Sequence, residues 1–303
     1  MRIAFVGNFE VPFSTESHHA WTWEHLGHEV IRLQENKTNA NEVLDACRQS
    51  DVFQWTHTHT WAFSGEDNLT PENIKIPSFS YHLDKYFGIG SRENTYLQHP
   101  SFHLDYFFST DGGNDERWKD ASINHRWILP GVVEYGAYSA SSLPHNFIPV
   151  LFCGSVGYHS EYPFRGHMVQ ELQRNYGEKF QVKTGFREAP LNQLYASAKV
   201  IVGDHIFAGC PRYCSDRLME SSGRGAFIVY PSTLGITEEF EKHGLVVYEP
   251  QNVTDLFSKI DYYLDTTHEQ ERLERQRSVH EYVKNNHTYT HRLNEILNIM
   301  GLK

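Results

Sequence analysis

One stretch of the chain concentrates side chains able to bind an anion: Cys210-Pro-Arg-Tyr-Cys-Ser-Asp-Arg-Leu-Met-Glu-Ser-Ser-Gly-Arg-Gly225, followed by the apolar run 226–230. Ser215 or Asp216 is a natural helix N-cap, which points the backbone N–H groups of the first helical turn at the preceding loop. Arg217 in that turn adds a charged donor fork to the positive end of the helix dipole, a combination suited to a diphosphate. Glu220 falls one turn further on, roughly on the same face, where a carboxylate accepts hydrogen bonds from ribose hydroxyls. The same residues also fit an ordinary capped helix with an i,i+3 ion pair between Arg217 and Glu220.

Other polar groups cluster in the first half. Ser14, Thr15 and Glu16 sit in a loop after the first apolar run, where Ser14 or Thr15 also suits a helix cap. His57 and His59 alternate, so on a strand they share a face and offer two ligands to a metal. Cys210 and Cys214 are a second two-ligand fragment without a further Cys or His pair at finger-like spacing. A structural zinc site takes four ligands, so no metal is expected.

The elements that must position these groups alternate. Residues 2–7 are a short apolar run ending in Gly, residues 18–26 a helix stopped by Gly27, and residues 28–33 a second strand. A helix over 41–48 and strands at 51–55, 76–81, 105–109 and 126–129 continue the pattern. Such alternation predicts a doubly wound parallel sheet, whose ligands sit at the carboxyl ends of the strands, where Asn8, His57, His82, Asp84 and Asp111 fall. Residues 136–149 shift to Ser, Ala and Pro and read as a linker. The pattern then restarts, with strands at 149–154, 180–184, 199–202, 226–230 and 244–248 and helices at 167–176, 191–198 and 216–223. Residues 253–302 are helical, with Glu and Arg at i,i+3 and i,i+4 spacing. The reading is an α/β chain of two domains, 1–145 and 146–280, followed by a C-terminal helix over 281–303 that can cross back to the first.

Bulk composition agrees. A length of 303 residues exceeds one ordinary core. With 39% hydrophobic and 14% aromatic residues the chain can fold despite a mean hydropathy of −0.55. A net charge of −11 and no long Lys/Arg run disfavour a polyanionic partner. Four scattered Cys and an N-terminal apolar run too short for a signal or a membrane span make a cytoplasmic protein the expectation.

The segment 210–230 resembles the donor-binding region of GT-B glycosyltransferases of the family-4-like kind, especially the spore maturation group, in which Ser-Asp-Arg-x-x-Glu precedes a small-residue-Gly turn and a strand. Ser215, Asp216, Arg217, Glu220 and Gly225 match, and residues 235–248 and 287–292 are also similar to that group. The wider family carries two Glu eight positions apart, whereas Arg212 stands at the first of them here. The resemblance implies a GT-B fold of two Rossmann-like domains facing a cleft, and transfer of a sugar from a nucleoside-diphosphate sugar, expected to be a UDP-sugar, with retention. It implies a donor diphosphate held by Gly154, Ser155 and Arg165, and a base near Phe186 and Arg187, where the ring can stack. At the reaction centre it implies His82 and Asp84, and on the acceptor side Ser14, Thr15, Glu16, His57 and Asp111; Asp111-Gly-Gly113 also reads as a plain turn. No metal or other cofactor is implied. The acceptor is a hydroxyl on a glycan, a protein, a small molecule or hydroxymethylated DNA. A GT-B nucleotide-sugar epimerase, or a nucleotide-sugar binding protein without activity, shares these features.

Overall fold

A computed structural model describes residues 1–139, 148–157, 162–207 and 210–303. The chain divides into two compact units, one formed by Met1–Leu129 with Tyr289–Lys303 and the other by Pro130–Thr288. The expected boundary at 145 lies outside the described residues, and residue 281 falls inside a helix rather than at a domain edge.

In the first unit, β1 (Arg2–Gly7), β2 (Glu29–Gln34), β3 (Val52–Trp55), β4 (Ser78–His82), β5 (Tyr106–Ser109) and β6 (His125–Trp127) form a parallel sheet in the order β2-β1-β3-β4-β5-β6. Both faces of the central strands are covered: Ile3, Ala4, Phe5 and Val6 of β1 are fully buried, and so are the polar Gln54 of β3 and Ser78 and Ser80 of β4. The helices are α1 (Thr15–His25), α2 (Ala40–Cys47), α3 (Pro71–Ile74), α4 (Gly90–Tyr96) and α5 (Asp115–Asp120). Ser14 caps α1 by accepting from the Ser17 N–H at 3.0 Å. The other end closes where Gly27, at φ +81°, lets the His28 N–H reach the Trp23 carbonyl at 3.0 Å.

The second unit opens with α6 (Glu134–Tyr138) and builds a sheet from β7 (Ile148–Cys153), β8 (Phe180–Lys183), β9 (Ala198–Val202), β10 (Ile228–Pro231) and β11 (Val246–Tyr248), also parallel, in the order β11-β10-β9-β7-β8. Its helices are α7 (Phe164–Tyr176), α8 (Glu188–Ala196), α9 (Arg217–Gly223), α10 (Thr237–Lys242), α11 (Val253–Leu264) and α12 (Glu269–Asn286). Val150, Phe152, Val200, Val202 and Val229 pack against Met168 and Leu172 of α7 and Leu256 and Ile260 of α11. At roughly 1.5–3 kcal/mol for each buried side chain, this layer is the main cohesive force on that face. The chain ends in α13 (Tyr289–Ile299), which packs on α1 in the first unit.

The expected linker over 136–149 is partly corrected. Gly136 and Ala137 are buried in α6, and a Cβ at Gly136 would lie 2.9 Å from the Arg224 guanidinium carbon. Residues 140–147 lie outside the described residues. The short helices α3, α4, α5 and α10 carry too few turns to leave an apolar period in the sequence.

Candidate functional site

In the second unit the strand order reverses between β7 and β9, so the loops leaving these two strands diverge and open a crevice at their carboxyl ends. Arg217, the first residue of α9, spans that gap. Its Nε donates to the Cys153 carbonyl at the end of β7, 3.1 Å away, and its Nη1 donates to the Asp204 carbonyl just past β9. Gly154 follows Cys153 at φ +143°, and a Cβ there would come within 2.5 Å of Arg217 Nη2. Neutral carbonyls hold the guanidinium, so its charge stays uncancelled by them at the point where a phosphate would enter.

Arg165 on α7 reaches the same two strand ends. Its Nε donates to Asp204 Oδ2 at 3.0 Å and its Nη1 to the Ser155 carbonyl at 3.3 Å. Asp204 is fully buried; burial raises its carboxyl above the ordinary range, and Arg165 and Arg217 pull it part of the way back. Asp204 therefore anchors both arginines, one through its side chain and one through its carbonyl. Tyr162, whose hydroxyl is 3.5 Å from Asp204 Oδ1, also lines an open pocket of about 430 Å³ with Phe164, His167, Phe207 and Gln251.

Glu220 pairs with Arg224, not with Arg217: Arg224 Nε donates to Glu220 Oε2 at 2.6 Å. The Arg224 side chain is only 1% exposed and its Nη1 donates to Asn192 Oδ1 at 2.9 Å. Burial works against the Arg224 charge, and Glu220 more than offsets it, so the guanidinium titrates above its ordinary value. Asp216 takes the N-cap position of α9 but its side chain makes no capping hydrogen bond, and Ser215 is held by its N–H donating to the Tyr230 hydroxyl at 3.2 Å. The expected cap is thus corrected: Ser215 is fixed by β10 instead.

Phe186 and Arg187 follow β8, with Gly185 at φ +79° turning the chain. Phe186 is half-buried rather than a core residue, and Arg187 is exposed, with its Nη1 donating to the Phe186 carbonyl at 2.8 Å. Arg212 lies in a left-handed turn at φ +53°, its N–H donating to the Leu234 carbonyl at 2.9 Å.

In the first unit the polar groups gather after β1, β3 and β4, adjacent strands of the sheet. His82 is corrected from its expected role. Its Nε2 accepts from the His57 N–H at 3.4 Å, its Nδ1 lies 3.0 Å from the Tyr86 hydroxyl, and burial, with His59 and His57 nearby, drives its pKa well below the ordinary value. Both nitrogens are engaged and 3% of its surface is exposed, so the ring is enclosed by Tyr86 and His57. His57 is likewise committed, its Nδ1 2.7 Å from Glu35 Oε1 with both side chains buried. Asp111 is corrected too: fully buried, it takes Lys85 Nζ at 2.9 Å and the N–H groups of Tyr86 and Phe87 at 2.9 and 3.1 Å. It organises a turn and presents no surface to an acceptor.

Asp84 remains accessible, its side chain 43% exposed between Arg92 Nη1 at 2.8 Å and His59 Nε2 at 3.3 Å. Burial of its surroundings opposes the charge, but His59 and Arg92 outweigh it and hold the carboxyl well below the usual range. Glu16 lies over Gly7, where a Cβ would meet its Cγ at 2.7 Å, and burial pushes it up to about 7. Ser14 serves as the α1 cap, and Thr15 begins that helix half-buried.

Two residues escaped the sequence reading. Asp204 had a usable signal, since it directly follows the apolar run of β9 and Gly203, at a carboxyl strand end. Arg224 had its i,i+4 spacing from Glu220, while only the fold brings α6 and α8 around it. Among the described residues no group of three or more His, Cys, Asp or Glu is placed to hold a metal ion, and no helix is long and apolar enough to cross a membrane.

Residues 154–298 match a family described as glycosyl transferase-like. Among curated proteins no sequence matches. Solved structures do. HepE from Anabaena, in complex with UDP and glucose, is 12% identical with a TM-score of 0.62 over 98% of this chain and 99% of that one. A glycosyltransferase from Rickettsia africae is 14% identical with a TM-score of 0.58 over 99% and 97%. T4 phage BGT, in complex with its UDP-glucose substrate, is 13% identical with a TM-score of 0.61 over 99% of both chains. At such identities the likeness shows the fold, which is GT-B.

Proposed function

We propose that this chain, a glycosyltransferase of the GT-B fold, takes its sugar from a UDP-sugar bound at the carboxyl ends of β7 and β9 and passes it to a hydroxyl acceptor. The observation that carries this reading is Arg217, fixed by the carbonyls of Cys153 at the end of β7 and Asp204 just past β9, the two strands that flank the switch point. That geometry presents a preorganised cation to a diphosphate without any rearrangement at the moment of reaction. UDP in HepE, and UDP-glucose in T4 phage BGT, support uridine as the nucleoside.

In this account Gly154 and Ser155 let the backbone approach the diphosphate, and Arg217 with Arg165 offsets its charge as it leaves, so no metal is needed. Glu220 receives the ribose hydroxyls and Phe186 with Arg187 lies against the base. Asp84, an accessible carboxylate at the carboxyl end of β4 in the first unit, meets the acceptor. The Ser215-Asp216-Arg217-x-x-Glu220 element supports kinship with the spore maturation group, and with it retention of configuration.

Replacing Arg217 with Ala tests the reading. UDP affinity is expected to fall about ten- to a hundredfold, the worth of a charged hydrogen bond, while uridine binding holds. Equal losses for uridine and UDP would remove the diphosphate from Arg217.

A further inference from the structure

We infer that Arg224 is the positioning residue for ribose recognition, aiming the Glu220 carboxylate at the sugar hydroxyls of the donor nucleotide. The inference rests on the donor reading above and adds to it a residue that no part of that reading uses.

Arg224 sits one helical turn after Glu220, and its N–H donates to the Glu220 carbonyl at 3.2 Å, so the two side chains leave α9 on the same face. Its guanidinium is enclosed. Nε holds Glu220 Oε2 at 2.6 Å, and Nη1 holds Asn192 Oδ1 of α8 at 2.9 Å. Asn192 in turn donates from Nδ2 to the Ser139 hydroxyl, 2.8 Å away, at the end of α6. Gly136 of α6 supplies the space, since a Cβ there would come within 3.0 Å of three guanidinium atoms. Three helices therefore converge on a single buried cation.

A buried charge of this kind is costly unless paired, and replacing it with an apolar side chain of similar volume is often neutral or better for stability. Its presence points to a task other than cohesion. The pair leaves Glu220 Oε1 as the oxygen not bound to Arg224, on a side chain that is 17% exposed while its partner is 1% exposed. A carboxylate pinned through one oxygen, with rotation about its last bonds removed, is preorganised to accept from a vicinal diol through the other. The hydroxyls of a ribose are such a diol.

Titration of the 303-residue chain with UDP, 2′,3′-dideoxy-UDP and inorganic pyrophosphate tests this. The wild type is expected to prefer UDP over the dideoxy analogue by roughly tenfold or more, as a charged hydrogen bond warrants. Arg224→Lys keeps the charge but cannot span Glu220 and Asn192 together. In that variant the preference should collapse to within about threefold, with pyrophosphate affinity unchanged. Asn192→Ala, which frees one side of the guanidinium, should lower the preference part of the way and serves if the lysine variant does not fold. A folded variant that keeps the full preference overturns the inference. Equal wild-type affinity for UDP and the dideoxy analogue overturns it together with the ribose role of Glu220. Absence of any UDP binding by the wild type overturns the donor reading itself.

Discussion

The Arg217 guanidinium lies against the Cα of Gly154, with room for nothing larger than a hydrogen between them. A Cβ on Gly154 would sit 2.5 Å from Nη2, and the glycine holds φ at +143°, a conformation that side-chain-bearing residues rarely adopt. The contact places an arginine fork directly over backbone at the carboxyl end of β7.

Gly154→Ala is therefore expected to displace Arg217 and strain the turn together. Stability should drop by about 1–3 kcal/mol in denaturant unfolding, and UDP affinity should fall at least as far as in Arg217→Ala. An alanine variant with wild-type UDP affinity would show that Arg217 does not need this seat.

Glu16 gives a pH prediction. Burial raises it from an ordinary 4.5 to about 7, so between those values the folded protein holds a proton that the unfolded chain has released. Stability from this group is thus full below pH 4.5, declines as pH rises toward 7 and is flat above. Glu16→Gln removes the decline, and the variant should gain on the order of 3 kcal/mol relative to wild type between pH 4 and pH 8. A difference curve that does not change with pH would mean that the carboxyl is not desolvated.

Asp111 is read as structural, and its variant should behave so. Asp111→Ala removes the buried ion pair with Lys85 and the acceptor of the Tyr86 and Phe87 amides, at a cost of about 3–5 kcal/mol in unfolding free energy. UDP binding per folded molecule should not change, because Asp111 belongs to the other unit. Unaltered stability with abolished transfer would return Asp111 to the acceptor side.

The two sheets were legible because strands such as β1 and β9 are buried on both faces and so appear as unbroken apolar runs, Ile3 to Val6 and Val200 to Val202. The Ser215-Asp216-Arg217 element was legible because its residues are consecutive. What the sequence hid is where each charge goes. Arg217 and Glu220 share a helix face and suggest an ion pair, yet Arg217 turns to backbone carbonyls and Glu220 to Arg224. Such choices depend on the ends of β7 and β9 for Arg217 and on α8 around Arg224 for Glu220, which the fold brings together from 13 to 64 positions away. His82 and Asp84 are two positions apart at the same strand end, but one is enclosed by Tyr86 and His57 while the other is exposed. Spacing cannot distinguish them, since burial is set by the loops that fold over the strand.

Calorimetric titration of the purified protein with UDP, with GDP, TDP and ADP as controls, tests the central claim most directly. The account predicts binding selective for UDP that weakens by about ten- to a hundredfold in Arg217→Ala. Absence of binding by every nucleotide would contradict a donor site at β7 and β9.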